Sequence, residues 1–321
     1  MDLFLIQLAI ACVVSACVPA QPVITKPAVE TPRPAVWVDS FASTDGDGSS
    51  ERPFKRFPST LPARAHVHVK SGVYQGPFSF EGDVIVEGHG EAVLTSDAGQ
   101  TTVTAKDVEL RSLSIQGGGL GLAVLGRVTG TKLHFSGQRE RAARVDGELV
   151  LSDSRAVASV EGIDGFAGIG TFRFDGVKLE GGFRRGVWCE GGVLALTKLR
   201  TLGVKIPVYA MRATGEVKQL VAESGSGPAM LVSEGSLNVL GMYVRGHEYG
   251  LQMSSGAKVS ATGLDVSQVE QACVSALRSE LTLSQSEFTV CGGGGAILLL
   301  DSKGVLSGLK VHDTRALGVL V

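Results

Sequence analysis

Nine side chains recur at intervals of 20 to 23 residues: Ser114, His134, Arg155, Lys178, Arg200, Glu223, Tyr243, Asp265 and Glu287. Set one above another they form a stripe, basic in its first part and mostly acidic, with one tyrosine, in its second. Two chemistries follow from those residue types. Arg155, Lys178 and Arg200 could contact carboxylates or sulfates of an acidic glycan, since cationic donors pair strongly with such oxyanions, while Tyr243 stacks on a sugar. Alternatively Asp265 and Glu287, or Glu223 and Asp265, could serve as a general acid and base. Carboxyl groups roughly 5 to 5.5 Å apart suit a retaining glycosidase, and roughly 6.5 to 9.5 Å an inverting one. Two carboxylates that close also push one pKa upward. A solvated face with charges spread for solubility accounts for the same residues and needs no ligand.

The stripe exists only if the intervening residues build a periodic scaffold, and they do. The phrase apolar-x-apolar-x-x-apolar-x-apolar reads Val108, Leu110, Leu113, Ile115, then Phe172, Phe174, Val177, Leu179, then Leu237, Val239, Met242, Val244, then Val259, Ala261, Leu264, Val266. Weaker copies begin at Val128, Leu149, Leu194, Val217 and Leu281. Alternation with period two marks a strand with one face inward, and the two-residue slip inside each phrase predicts a bend between two short strands. A third apolar stretch follows in many repeats, as at Val208-Tyr209-Ala210-Met211 and Ala229-Met230-Leu231-Val232. Three short strands per repeat predict an all-β chain, a right-handed parallel β-helix solenoid in which stacked coils share one core. With coils about 4.8 Å apart, about eleven of them make a rod of roughly 50 Å. A leucine-rich repeat has a similar period, but no helix or Asn/Cys ladder recurs here.

Residues 3–16 are apolar and uncharged, too short to span a bilayer comfortably and suited to the core of a signal peptide. The run ends in Val14-Ser15-Ala16-Cys17, which resembles the bacterial lipoprotein box. That resemblance implies a signal peptide over residues 1–16, lipidation of Cys17, and attachment to a membrane of the cell envelope. Pro19, Pro22, Pro27, Pro32 and Pro34 make residues 17–36 read as an extended tether. The formal net charge of -2 gives no reason to expect a nucleic-acid partner. With Cys12 removed and Cys17 lipidated, Cys189, Cys273 and Cys291 remain; their spacing fits no zinc site, and a Cys273–Cys291 bridge is left open.

Residues 37–80 read as an N-terminal cap on a β-helix over residues 81–321. Trp37-Val38-Asp39, Asp45-Gly46-Asp47-Gly48-Ser49, Pro53-Phe54-Lys55-Arg56-Phe57 and the strand running to Gly72-Val73-Tyr74 resemble the opening of secreted proteins of the pectate-lyase-like superfamily. The resemblance implies a β-helix, export, a cap helix shortened to a few residues around Ser59 to Ala65, and carbohydrate as a family tendency. Such enzymes usually carry Asp clusters with Arg or Lys on neighbouring coils of one sheet. The matching stretches here, from Trp188-Cys189 through Leu251-Gln252 to Ile297-Leu298, are nearly all apolar or small, which weighs against an enzyme.

Other candidates are weaker. Asp45 to Ser49 reads as a turn rather than a calcium loop, and His247-Glu248-Tyr249 as a surface loop. Phe183-Arg184-Arg185 with Trp188 could be an aromatic-basic sugar subsite, although the column of Trp188, Tyr209, Met230 and Leu251 reads as internal stacking. Nothing in the sequence calls for a metal or cofactor. The leading expectation is a lipid-anchored envelope module that binds surface polysaccharide or an envelope protein, with a polysaccharide lyase or glycoside hydrolase using Asp265, Glu287 or Glu223 as the alternative. Residues 317–321 begin another apolar rung, which leads to an expectation of end-to-end self-association.

Overall fold

The structure, a computed structural model, describes residues 32–321. The expected signal segment, Cys17 and the tether up to residue 31 lie outside the described residues. The rest is an all-β right-handed parallel solenoid of about twelve turns, one more than the repeat spacing predicts, with no helix among the described residues. None there is therefore long and apolar enough to cross a membrane.

Each turn supplies one rung to each of three parallel columns. The first column begins at Ala35–Val38 and His66–Val69 and ends at Lys303–Ser307. The second runs from Gly72–Gln75 to Lys310–His312, and the third from the start of Phe78–Gly88 to Val319–Leu320. Inward positions repeat from coil to coil, as in Leu149, Phe172 and Leu194, all fully buried. Phenylalanines pack together in the middle coils, with Phe135 against Phe166 at 5.5 Å and Phe166 against Phe174 at 5.0 Å, both edge-on.

The slip inside each phrase is one residue in the left-handed region between the first and second columns. Ser112, Lys132, Asp153, Lys198, Gln219 and Gln285 hold it with φ between 47° and 55°, and Gly176, Gly241, Gly263 and Gly308 hold it in other coils. Such a residue turns the chain without breaking the inward alternation, at a cost of about 1 kcal/mol where it is not glycine.

The first coils are closed by residues 39–65, from which Phe54, Phe57 and Leu61 pack against the core. Phe57 lies edge-on to Tyr74 at 5.6 Å and to Phe78 at 4.9 Å. The expected short helix around Ser59 to Ala65 is absent: Pro58 and Pro62 interrupt it, and Arg64 turns the chain with φ 58°. Asp45 to Ser49 is a turn, with Asp47 Oδ1 accepting from the Ser49 amide at 3.0 Å. Cys273 and Cys291 are joined in a disulfide across the corner between the third and second columns, Cα to Cα 5.5 Å. Cys189 is free and buried. In the last coil Val305, Leu317, Val319 and Leu320 are exposed.

Candidate functional site

The second column carries the recurring outward side chains. His134, Arg155, Lys178 and Arg200 stand in strict register on successive coils. The next four positions are Val221, Tyr243, Asp265 and Glu287, followed by Lys310. Glu223 is therefore not in the stripe: it lies two residues along, paired with Leu202 and Arg245. The reason is Gly215, which takes the inward position held by Leu194 and Leu237 on either side and has no side chain to mark it. Counting from Val217 instead shifts that coil by two residues. The carboxylate pair Glu223 and Asp265 is accordingly not aligned, whereas Asp265 and Glu287 are.

Arg155 is exposed and tied to Glu180 on the next coil. Lys178 and Arg200 are exposed and form no ion pair among the described residues. Tyr243 is half-buried beside Asp265. Partial burial, and then the neighbouring Glu287 carboxylate, raise the pKa of Asp265.

Around the corner on the same coils lies a second cluster, near the first residues of the third-column strands Asp164–Gly168 and Arg185–Glu190. Trp188 alternates with the buried Val187 and Cys189, so it faces out, and the internal stacking read from its all-apolar neighbourhood is corrected. Its ring stacks on Tyr209 of the next coil at 6.4 Å, planes 11° apart, and the row continues through Leu231, Gln252, Ser275 and Leu298. The row does not include Met230 or Leu251, whose side chains are buried. The Arg185 guanidinium lies 3.5 Å over the Trp188 ring, a cation–π contact.

Arg185 is itself fixed by Asp164, whose carboxylate accepts at 2.8 and 2.7 Å from Arg185 and at 3.3 and 2.9 Å from Arg184. Asp164 is 2 % exposed and Arg185 14 %, while Arg184 is 54 % exposed and reaches solvent. Burial would raise the Asp164 pKa, but the hydrogen bonds and charges of Arg185 and Arg184 outweigh it and hold the carboxyl below its ordinary value. Asp164 is thus a fixed anion and no proton donor. Sequence reasoning named the two arginines and the tryptophan but missed Asp164; the signal was the pairing of Asp164 with Arg185 one coil on. Lys205 sits exposed at the corner of the following coil.

His247, expected on a surface loop, is 1 % exposed. Its Nδ1 lies 3.0 Å from the Gly227 carbonyl, and burial lowers its pKa. Elsewhere, His66, His68 and Glu87 in the first coils offer ligand atoms within 4.8 Å of one another, a grouping that could hold a metal ion and that the sequence reading did not contain.

No family model matches the chain, and no curated protein matches it by sequence. Solved structures similar to it are β-helix proteins. A lacto-N-biosidase from Eubacterium ramulus matches with a TM-score of 0.45 and 10% identity over 87% of this chain and 68% of that one. A rhamnogalacturonan lyase matches with a TM-score of 0.39 and 11% identity over 85% and 87% of the two chains. An α-1,3-glucanase from Streptomyces thermodiastaticus matches with a TM-score of 0.37 and 12% identity over 79% and 65%. Their names are those of carbohydrate-active enzymes. At this level the likeness is one of fold.

Proposed function

We propose that this protein recognises an acidic polysaccharide laid along the rod, over the corner between the second and third columns. The observation that carries the reading is the register of Arg155, Lys178 and Arg200, which presents one cation per coil, with exposed Arg184 and Lys205 beside them. An extended polyanion on that line meets a positive charge about every 4.8 Å. Lys178, Arg200 and Lys205 have no acidic partner among the described residues and are available for it. Trp188 and Tyr209 lie around the corner on the third column of the same coils and offer apolar edge to sugar rings.

The test is affinity electrophoresis of the full chain through gels holding acidic or neutral polysaccharides, with the polymer length read afterwards. Acidic polymer should retard the chain. Lys178→Ala with Arg200→Ala should weaken retardation at least tenfold, and added salt should weaken it further, as screened surface charges do. Equal retention by neutral polymers, or by the double variant, would sink the proposal.

A second reading is supported by the in-register Asp265 and Glu287 and the raised pKa of Asp265: hydrolysis or elimination of the bound polymer. Shortened chains, with shortening lost in Asp265→Asn, would establish it. The proposal includes a location in the cell envelope through lipidated Cys17, which mass spectrometry of the N-terminal peptide checks. The Cys273–Cys291 bridge supports an oxidising compartment. An envelope protein or a second copy resting on the exposed apolar residues of the last coil would appear as a concentration-dependent mass in sedimentation.

A further inference from the structure

Three of the six histidines of the chain meet in one patch on the outward face of the first column. His66 and His68 alternate with the fully buried Val67 and Val69, so the strand itself sends both imidazoles out on one side. On the next coil Glu87 pairs with His68, and His89 follows two residues later, its backbone amide bonded to the Val69 carbonyl at 2.8 Å. The four side chains therefore lie side by side on two neighbouring coils. His66 Nε2 stands 2.8 Å from Glu87 Oε2, and His68 Nδ1 stands 2.9 Å from His89 Nε2. Trp37, one coil earlier, stacks on His68 at 4.4 Å and on His89 at 5.5 Å, covering one side of the group.

We propose that His66, His68 and Glu87 bind a divalent transition-metal ion, with His89 supporting the His68 ring. Two imidazoles and one carboxylate are the donor set of Zn2+, Ni2+ or Cu2+, whereas Ca2+ and Mg2+ take oxygen ligands. Zinc bonds of about 2.1 Å in tetrahedral geometry place ligand atoms about 3.4 Å apart. The three ligand atoms already lie within 4.8 Å of one another, so side-chain shifts on the order of 1 Å close the set. His66 and Glu87 are half-buried, which limits competition from water. Arg111 stands beside Glu87 on the following coil, and its guanidinium Nε donates to Glu109 at 2.7 Å. The hydrogen bond between His89 and His68 is the kind of outer contact that sets a ligand ring's orientation.

The test uses the full chain, stripped with a chelator and titrated with Zn2+ in a calorimeter. In parallel, Cu2+ quenching of Trp37 emission is followed in a Trp188→Phe variant, since the chain has two tryptophans. One Zn2+ per chain, and Cu2+ quenching with the same stoichiometry, are expected. His66→Gln with His68→Gln should weaken both at least tenfold, and the isosteric Glu87→Gln should weaken them in the same direction. His312→Gln, exposed in the last coil, should leave them unchanged. Circular dichroism and the melting temperature show that each variant is folded. Zn2+ retained equally by the His66/His68 variant, displacement by a modest excess of Ca2+, or no retention by the folded parent chain would each overturn the proposal.

Discussion

Asp164→Asn tests whether the clamp beneath Trp188 is built as the geometry says. The wild-type carboxylate accepts four charged hydrogen bonds, two from each arginine. The asparagine keeps the shape, removes the charge, and turns one acceptor into an amide that faces guanidinium donors. Breaking a buried ion pair by removing one partner costs about 3 to 5 kcal/mol, because the remaining charge stays desolvated. Arg185, 14 % exposed, carries most of that cost; Arg184, 54 % exposed, regains water, and its share is discounted. The expected loss is therefore about 3 kcal/mol, or a melting temperature lower by roughly 4 to 5 °C for a chain of this size. Thermal melts at pH 7, followed by circular dichroism, read it.

The pH dependence has a definite sign. The folded pKa of Asp164 is depressed, so its contribution is complete above the unfolded value of about 3.9 and is lost as pH falls through the folded value. Wild type and Asp164→Asn should converge below about pH 4. Asp164→Leu with Arg185→Met removes the buried pair as a unit and should recover most of the loss. A melting shift under about 1 °C for Asp164→Asn, which is below 1 kcal/mol, would refute the assignment of Asp164 as the fixed anion.

Three further outcomes follow. Reducing the Cys273–Cys291 bridge, or replacing both residues with serine, should cost about 3 kcal/mol, from the entropy of an 18-residue closure, and is read by urea unfolding with and without reductant. Cys189, buried and with its thiol pushed up to about 11, should fail to react with Ellman's reagent until the chain unfolds; one fast-reacting thiol in a chain blocked at its N-terminal cysteines would contradict this. Burial keeps His247 neutral when folded, so the unfolded chain gains a proton that the native one does not as pH drops below about 6.5, and stability falls with pH there. His247→Gln should flatten that slope by up to about 1.4 kcal/mol per pH unit, measured by chemical denaturation from pH 7 to pH 5.

Much of the scaffold was legible because a solenoid writes its inward residues at fixed spacing. Phe172, Phe174, Val177 and Leu179 announce two strands and a bend, and all four are buried. The bend was readable as a slip, although its left-handed residue was not, since Lys132, Gln219 and Gly241 share no side-chain property. Register failed where an inward side chain was missing, as Gly215 shows, and one glycine was enough to bring Glu223 into a stripe to which it does not belong. Facing failed for Trp188 for the opposite reason: in Val187-Trp188-Cys189 every residue is apolar, and alternation leaves no trace in hydropathy when the outward residue is a large aromatic.

The histidine group marks the limit of this kind of reading more sharply. His66-Val67-His68-Val69 alternates plainly, so two outward imidazoles on one strand could have been read directly. What could not be read was their partner strand. The repeat phrases begin at Val108, and the first coils, interrupted by residues 39–65, offer no earlier copy from which to count forward. Glu87 and His89 come beside His68 only through the parallel pairing of Val67 with Val86 and Val69 with Gly88, and those partners are ordinary inward residues with nothing to distinguish them. A ligand set assembled from two coils is invisible to any pattern confined to one strand. On a parallel solenoid, where lateral neighbours are always about one repeat apart in sequence, chemistry is therefore best sought down the columns, and the columns are known only once each coil's register is.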